Sequence, residues 1–499
     1  MFFNKNNNKK LLYLILNRFR VIKNNNNLNG DRSVKFFATI PECPKPGMLD
    51  GFISLINYNK AMKLHEIVDN KHRELGPIYK DQIGSVSAYF VNSPEDYRKI
   101  FTNEGPTPMH FLPEAWLIYN KSKKCSRGLL FMDGEEWLHF RRIINKLLLH
   151  PYDAKIITAN ACQNAAVKLT EEWKKNLVRN KWIIPKLETR LYKWSIEVMM
   201  ASLLGSAWNK YRDSIGDKEA DKLAQNLHEI FILTARLSLL PIKYIVRFNF
   251  PVWKKFIRVM DEILKIVSTM VPKMINFKGN GLLWMMINEG MTEKDATRIV
   301  TDLILAAGDT TAFSTQWALF LLASHSDVQN KLAGISGNLE LKDTIKDSYI
   351  KGIIKESLRL YPTAPFLTRI LPEDCLIAGH IVPRGELIIM SLYSSGRDPN
   401  NFVEPNEFMP ERWIRNSKGN YDYVMNPFAT IPFALGVRSC IGKKLAETQI
   451  IMTLSEIVKN FNMDCLNKQN VKLKLHMISV PSESIKLQLT KRINSIYNE

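Results

Sequence analysis

The sequence predicts an α+β fold that is mainly α, and three observations carry that reading. Between about 135 and 330, apolar residues recur at spacings of three and four, most clearly over 155–175 and 219–239, as amphipathic helices require. The stretch 76–101, GPIYKDQIGSVSAYFVNSPEDYRKIF, holds two short strand-like runs and then a helical one that Ser93 is placed to cap. Residues 471–489, VKLKLHMISVPSESIKLQL, alternate apolar and polar on both sides of Pro481–Ser482, which predicts a β-hairpin turning there.

Taken from the N-terminus, residues 1–23, MFFNKNNNKKLLYLILNRFRVIK, are basic and free of acids. The apolar run Leu11–Leu16 is far short of the ~20 residues of a membrane-spanning helix, and shorter than a signal-peptide core. A mitochondrial transit peptide with a flexible tail is expected over 1–40, although the Asn tracts at 6–8 and 24–27 are unusual for one. The proline-rich IPECPKPG at 40–47 predicts a stiff hinge over 41–49. A helix is expected around Lys60–Leu75. The segment 237–256, LSLLPIKYIVRFNFPVWKKF, is apolar and aromatic with basic punctuation and two prolines. It suits either a buried connection between helices or a stretch dipping into a membrane surface.

Composition narrows the classes. A hydrophobic fraction of 45% and an aromatic fraction of 10% exclude a disordered chain. The net charge of +20 points to nucleic acid, an anionic membrane or an acidic protein partner; +7 of it falls in the first 40 residues. No Cys/His module and no interleaving of aromatic with basic residues supports nucleic-acid binding. The six cysteines are scattered without a CxxC, which excludes a disulfide framework or a zinc module and suits a reducing compartment.

One cysteine stands in a rigid pattern: Phe433-x-x-Gly436-x-Arg438-x-Cys440-x-Gly442. Gly436 permits a positive φ, and Gly442 lets a flat ligand approach the helix that follows. Backbone N–H groups in such a loop can donate to a thiolate and tune it. Arg438 supplies a cation beside it. A soft anionic ligand with a carboxylate clamp fits the iron and propionates of haem b.

FxxGxRxCxG resembles the haem-binding signature of the cytochrome P-450 family, and further motifs of that family occur in order over about 45–495. KESLR holds Glu356-x-x-Arg359, two side chains on one helical face; with Arg412 of PERW it is similar to the family's structural triad. Trp137-x-x-x-Arg141, in GEEWLHFRR, matches the pair that contacts a haem propionate in the family. Arg369 sits where the family places another propionate arginine. LILAAGDTTAF resembles the oxygen-activation stretch of the family's long central helix. There Asp309 and Thr310 would manage protons, and Gly308 with the threonines predicts a local opening of the helix. Ala307 departs from the glycine that many members carry.

The resemblance implies one haem-thiolate domain over 50–499, with a long central helix and small sheets, and monooxygenase activity. Two further possibilities are a haem-thiolate isomerase or peroxide-using enzyme, which would not need the Asp–Thr pair or a basic docking face, and a non-catalytic haem-binding protein. Lys351 and Lys355, four apart, and Lys443–Lys444 form a basic face on the thiolate side, suited to docking an acidic redox protein. K-x-x-x-K-E-x-L-R is similar to the mitochondrial branch, whose donor is a [2Fe–2S] ferredoxin with its NADPH reductase. Peripheral contact with the inner membrane on the matrix side would follow. The central-helix stretch is similar to that of arthropod mitochondrial members that hydroxylate ecdysteroids, the Shadow type of 2-hydroxylase in particular. Another ecdysteroid hydroxylase of this branch and a xenobiotic-oxidising member are the alternatives, and a sterol, a fatty acid or a foreign compound would sit in a pocket formed by Ala306, Ala307, Phe366 and the hairpin tip near Ile478.

Overall fold

A computed structural model of the chain describes residues 39–43, 62–83, 86–126, 128–149, 152–177, 181–215, 217–238 and 240–492. The transit peptide expected over 1–40, Thr39 and Ile40 apart, and residues 44–49 of the expected hinge lie outside them. Pro41 and Cys43 exchange backbone hydrogen bonds with Lys80.

The first elements follow the sequence pattern closely. Helix α1 spans Leu64–Leu75 and buries His65, Val68 and His72. Strands β1 (Ile78–Ile83) and β2 (Val86–Val91) pair antiparallel, Ile78 opposite Val91, with Tyr79 stacked on Phe90. Ser93 caps α2 (Pro94–Thr102) by accepting from the Asp96 N–H, and Pro94 occupies the first turn, where its missing N–H costs nothing. Strands β3 (Phe366–Ile370) and β4 (Leu387–Ser391) complete a four-stranded sheet in the order β1-β2-β4-β3.

The helical body includes α3 (Gly134–Leu149), α4 (Leu187–Leu204), α5 (Asp217–Ser238), α6 (Pro251–Asn276), α7 (Glu293–Ser324), α8 (Ser348–Leu360) and α9 (Lys443–Asn460). Helix α7 is 32 residues long and packs against α4, α5, α6, α8 and α9. It is apolar on nearly every side from Ile299 to Leu322, the pattern of a helix surrounded by protein. Thr292 caps it by accepting from the Asp295 N–H. The expected opening near Gly308 does not occur: α7 is continuous through it. The Thr310 hydroxyl donates back to the Ala306 carbonyl at 2.6 Å, and Ser195 of α4 donates to the Ala307 carbonyl at 2.8 Å, so both extra bonds leave the ladder whole.

The C-terminal hairpin also differs from its expected form. Strands β5 (Phe461–Cys465), β6 (Leu473–His476) and β7 (Ile478–Pro481) precede β8 (Leu487–Lys491). The β6–β7 hairpin turns at Met477, whose φ is 67°, four residues before Pro481. Pro481 lacks an N–H and ends the ladder. Beyond it β8 pairs with β5 and with the strand Lys181–Ile183. The tip residue is therefore Met477, while Ile478 is buried against Phe313 and Val480.

The segment 237–256 divides its side chains. Ile242, Ile245, Trp253 and Phe256 are buried, whereas Tyr244, Phe248 and Phe250 are exposed.

Candidate functional site: a cysteine cradle beneath the central helix

The Cys440 loop folds back on itself before α9. The Cys440 N–H donates to the Phe433 carbonyl at 2.8 Å, and the Ser439 N–H donates to that of Gly436 at 3.2 Å. Gly436 has the expected positive φ, 75°, and a Cβ there would lie 1.9 Å from Glu104 Oε1. That carboxylate accepts from the Val437 N–H at 2.7 Å. Gly442 has an ordinary φ of −84°, so its role is space: a Cβ would sit 4.0 Å from Cys440 Sγ. The Cys440 side chain is accessible, yet protein surrounds it closely enough that burial pushes its thiol up. The Gly442 N–H, Arg141 and Lys443 pull the thiol back down, and Glu447 opposes them.

Beside the sulfur, three guanidiniums converge. Arg141 donates to the Ser439 carbonyl at 2.6 Å. Arg438 lies over the Trp137 ring at 4.3 Å and bonds Asp133 at 2.6 Å and His110 Nδ1 at 3.1 Å. Arg369 pairs with Glu104 and with the Thr368 carbonyl. Each of the three retains one buried nitrogen without a partner: Nε of Arg141, Nη2 of Arg369 and Nε of Arg438. Burial, then the charges of Arg369 and Arg141, bring Arg438 down to about 10 despite Asp133. Burial and the Arg438 and Arg369 cations also hold His110 down to about 4. Crowded cations with spare N–H groups next to a shielded sulfur fit a ligand that carries both a thiolate-binding metal and carboxylates. The residues present therefore fit haem.

Behind the loop, Glu356, Arg359 and Arg412 form a fully buried cluster. Arg359 grips Glu356 with Nε and Nη2 at 2.9 and 2.6 Å, and Arg412 Nε adds a bond at 2.7 Å. Remaining guanidinium groups donate to the carbonyls of Gly396, Val403, Glu404 and Glu407. Trp413 Nε1 donates to Glu356 at 2.8 Å. A buried ion cluster holds only when its hydrogen bonds are this complete.

On α7, Asp309 is buried, and its Oδ1 lies 3.4 Å from His228 Nδ1 on α5. Burial raises the Asp309 carboxyl, against the pull of His228 and Tyr192. The Tyr192 hydroxyl lies close by without hydrogen-bond geometry. It occupies the space a Gly308 Cβ would need, 2.4 Å away. Ala306 is exposed and Ala307 and Thr310 half-buried, a step in an otherwise buried helix. Phe366 is half-buried at the start of β3.

The four lysines named from the sequence come together. Lys351, Lys355, Lys443 and Lys444 line one groove of about 1070 Å³ with Ile354, Phe433, Ile441 and Leu445. All four act on Glu447, whose carboxyl burial raises and these cations lower. Sequence reasoning missed Glu104, Asp133, Trp413, His228 and Glu447. Trp413 was within reach, since it follows Arg412 directly; Asp133 and Glu447 lie close to motifs, four residues before Trp137 and three after Lys444, without belonging to one, and Glu104 and His228 lie far from any.

The cytochrome P450 family model matches residues 41–489, and the chain belongs to that family. Its members are monooxygenases that hold haem iron through a cysteine thiolate. The chain is 34% identical over 480 residues to mitochondrial cytochrome P450 315a1 of Drosophila melanogaster, covering 91% of this chain and 89% of that protein. It is 27% identical to mitochondrial cytochrome P450 11B2 of Mus musculus, over 91% and 92%. Among solved structures, a retinoic acid bound cyanobacterial CYP120A1 superposes with a TM-score of 0.73 at 19% identity, over 91% of this chain and 100% of that one, a likeness of fold. Among the described residues no helix is long and apolar enough to cross a membrane.

Proposed function

We propose that the protein is a mitochondrial steroid hydroxylase that converts 2-deoxyecdysone to ecdysone. The observation that carries this reading is the 34% identity, along nine-tenths of both chains, to the Drosophila mitochondrial relative. The similarity of the 305–313 and 315–325 stretches to ecdysteroid-hydroxylating members supports it. When bound, haem supplies the dioxygen chemistry: one atom enters a C–H bond and the other leaves as water.

The chain's own residues bind and orient. Cys440 would hold the haem iron through its sulfur, and Phe433 and Gly442 shape the loop around it. Arg438, Arg141 and Arg369 would hold the propionates through their spare N–H groups, with Trp137 beneath Arg438. Glu356, Arg359 and Arg412 keep the supporting loop rigid. Asp309 and Thr310 would hold protons and pass them on from α7. Ala306, Ala307 and Phe366 are proposed to line the sterol site, and Ile478 packs on Phe313 of the same helix as the alanines.

Electrons arrive from a [2Fe–2S] ferredoxin with its NADPH reductase at the lysine groove. The charges there speed encounter and set orientation more than they add affinity. The exposed Tyr244, Phe248 and Phe250, among exposed Lys243, Arg247 and Lys254, suit an apolar patch resting in a membrane with cations at the headgroups. The membrane proposed for this contact is the inner mitochondrial membrane, on its matrix side.

The test is reconstitution with ferredoxin, its reductase, NADPH and 2-deoxyecdysone. Ecdysone is the expected product; turnover of other steroids or of foreign compounds alone would replace the substrate assignment. Lys355→Glu with Lys351→Glu should raise the KM for ferredoxin on the order of tenfold or more while leaving the ferrous–CO spectrum after chemical reduction unchanged. An unaltered KM would move the docking face elsewhere.

A further inference from the structure

We propose that His228 is a positioning residue for Asp309: it holds the buried carboxylate across the contact between α5 and α7 and renews its proton from solvent. This rests on the reading of Asp309 as a proton-handling group.

The geometry makes the argument. Asp309 is 1% exposed, so it has no direct path to water. His228 is 41% exposed at its side chain, and its Nδ1 lies 3.4 Å from Asp309 Oδ1. One group therefore touches both bulk solvent and the buried acid. The imidazole is also fixed in place: it meets the Tyr192 ring edge-on at 6.1 Å and the Phe313 ring at 6.0 Å. With the carboxylate ionised, Nδ1 carries the proton and donates. The neighbouring charges favour this state. Burial opposes the imidazolium, but the hydrogen bond and charge of Asp309, with Glu229 on α5 and Glu188 on α4, outweigh it and hold His228 above its ordinary value. Tyr192 faces the pair from α4 and His476 from β6, the latter kept low by burial and by His228, Lys474 and Arg236. No carboxylate other than Asp309 is within ion-pair distance of His228 among the described residues.

The step is a plain proton transfer. Once Asp309 has passed its proton toward Thr310, the His228 Nδ1–H bond breaks and an Oδ1–H bond forms. The imidazolium–carboxylate pair becomes imidazole and carboxylic acid. A solvent proton then returns to Nδ1, the nitrogen that gave one up, so the imidazolium is restored and charge balances at each stage.

Holoenzymes carrying His228→Gln, His228→Phe and Asp309→Asn test it. The first readout is coupling, hydroxylated product per NADPH consumed. The second needs no turnover: the C–O stretching frequency of the ferrous–CO form, followed against pH. In the wild type that frequency should shift with one protonation above the ordinary histidine range. Asp309→Asn should lower coupling on the order of tenfold or more and abolish the shift. His228→Gln keeps a donor but carries no proton; it should retain stability, lose the pH shift and lower coupling several-fold. His228→Phe should do the same, and if it fails to take up haem, His228→Gln decides. If both His228 variants match wild type in both readouts while Asp309→Asn does not, the inference fails and the Asp309 reading stands. If Asp309→Asn is itself without effect, both fall.

Discussion

Ala434 shares the left-handed backbone of Gly436 two residues later, with φ 56°. A side chain there is crowded against its own carbonyl, at a cost of roughly 1–2 kcal/mol. The loop tolerates this because the Cys440 N–H bond to Phe433 and the Glu104 clamp leave the backbone little choice. Ala434→Gly is therefore expected to stabilise the holoprotein by about 0.5–1 kcal/mol, part of the relief being lost to greater freedom in the unfolded chain. Urea unfolding monitored at the haem band measures it, and a lower midpoint would refute the strain. The residue scale also shows what local pattern can convey. Cys440, Gly436 and Arg438 were readable because chemistry forces their spacing within one loop. Glu104 and Asp133, which hold Arg369 and Arg438, were not: a carboxylate that meets its arginine across 265 or 305 residues leaves no periodic trace.

At the scale of elements, α7 corrects the expectation attached to Gly308. Glycine in a helix costs ~1 kcal/mol relative to alanine, which suggested a helix built to open. The structure gives it a different use. A Cβ at Gly308 would lie 2.4 Å from the Tyr192 hydroxyl, 2.7 Å from its ring carbon and 3.3 Å from Ile196 Cδ1, so the glycine lets α4 pack close beside Asp309. Gly308→Ala should thus destabilise by about 1–3 kcal/mol, overpacking outweighing the propensity gain. Tyr192→Leu removes both close atoms, and in that background the same substitution should become neutral or favourable. A double-mutant cycle in thermal unfolding measures the coupling; a stabilising Gly308→Ala in the wild type would return Gly308 to the role of helix breaker. The same limit explains the C-terminal hairpin. Alternation correctly marked strands, but Met477 carries no turn signature, and Pro481–Ser482, which does, only closes the ladder.

Across the whole molecule, what the sequence conveyed was whatever repeats or clusters locally: helical periods, the β1–β2 hairpin, the Ser93 cap and the motifs around Cys440, Glu356 and Asp309. What it withheld were meetings between distant segments, and two buried histidines are such a case with a consequence for the fold. His72 on α1 donates from Nδ1 to the Gly76 carbonyl at 3.0 Å, and its Nε2 meets Ser391 Oγ on β4 at 2.9 Å. The neutral imidazole is satisfied on both sides. His65, 1% exposed, packs edge-on to Tyr393 at 4.7 Å, with neither ring nitrogen hydrogen-bonded. Burial, then Arg397 and Lys63, hold His65 down to about 4, and burial alone, against Gly76 and Asp69, does the same for His72. In the unfolded chain both return to about 6.5. As pH falls through that value, the unfolded chain takes up protons that the folded one refuses, so the folded state loses stability. The contribution is complete above about 6.5 and is lost progressively toward pH 4, on the order of 3 kcal/mol for each histidine. His65→Phe keeps the ring contact with Tyr393 and removes one of the two titrations. Its unfolding midpoint should consequently fall less steeply than that of the wild type between pH 7 and 4.5, whatever its value at pH 7. Parallel slopes for the two proteins would show that His65 is already free to protonate in the folded state.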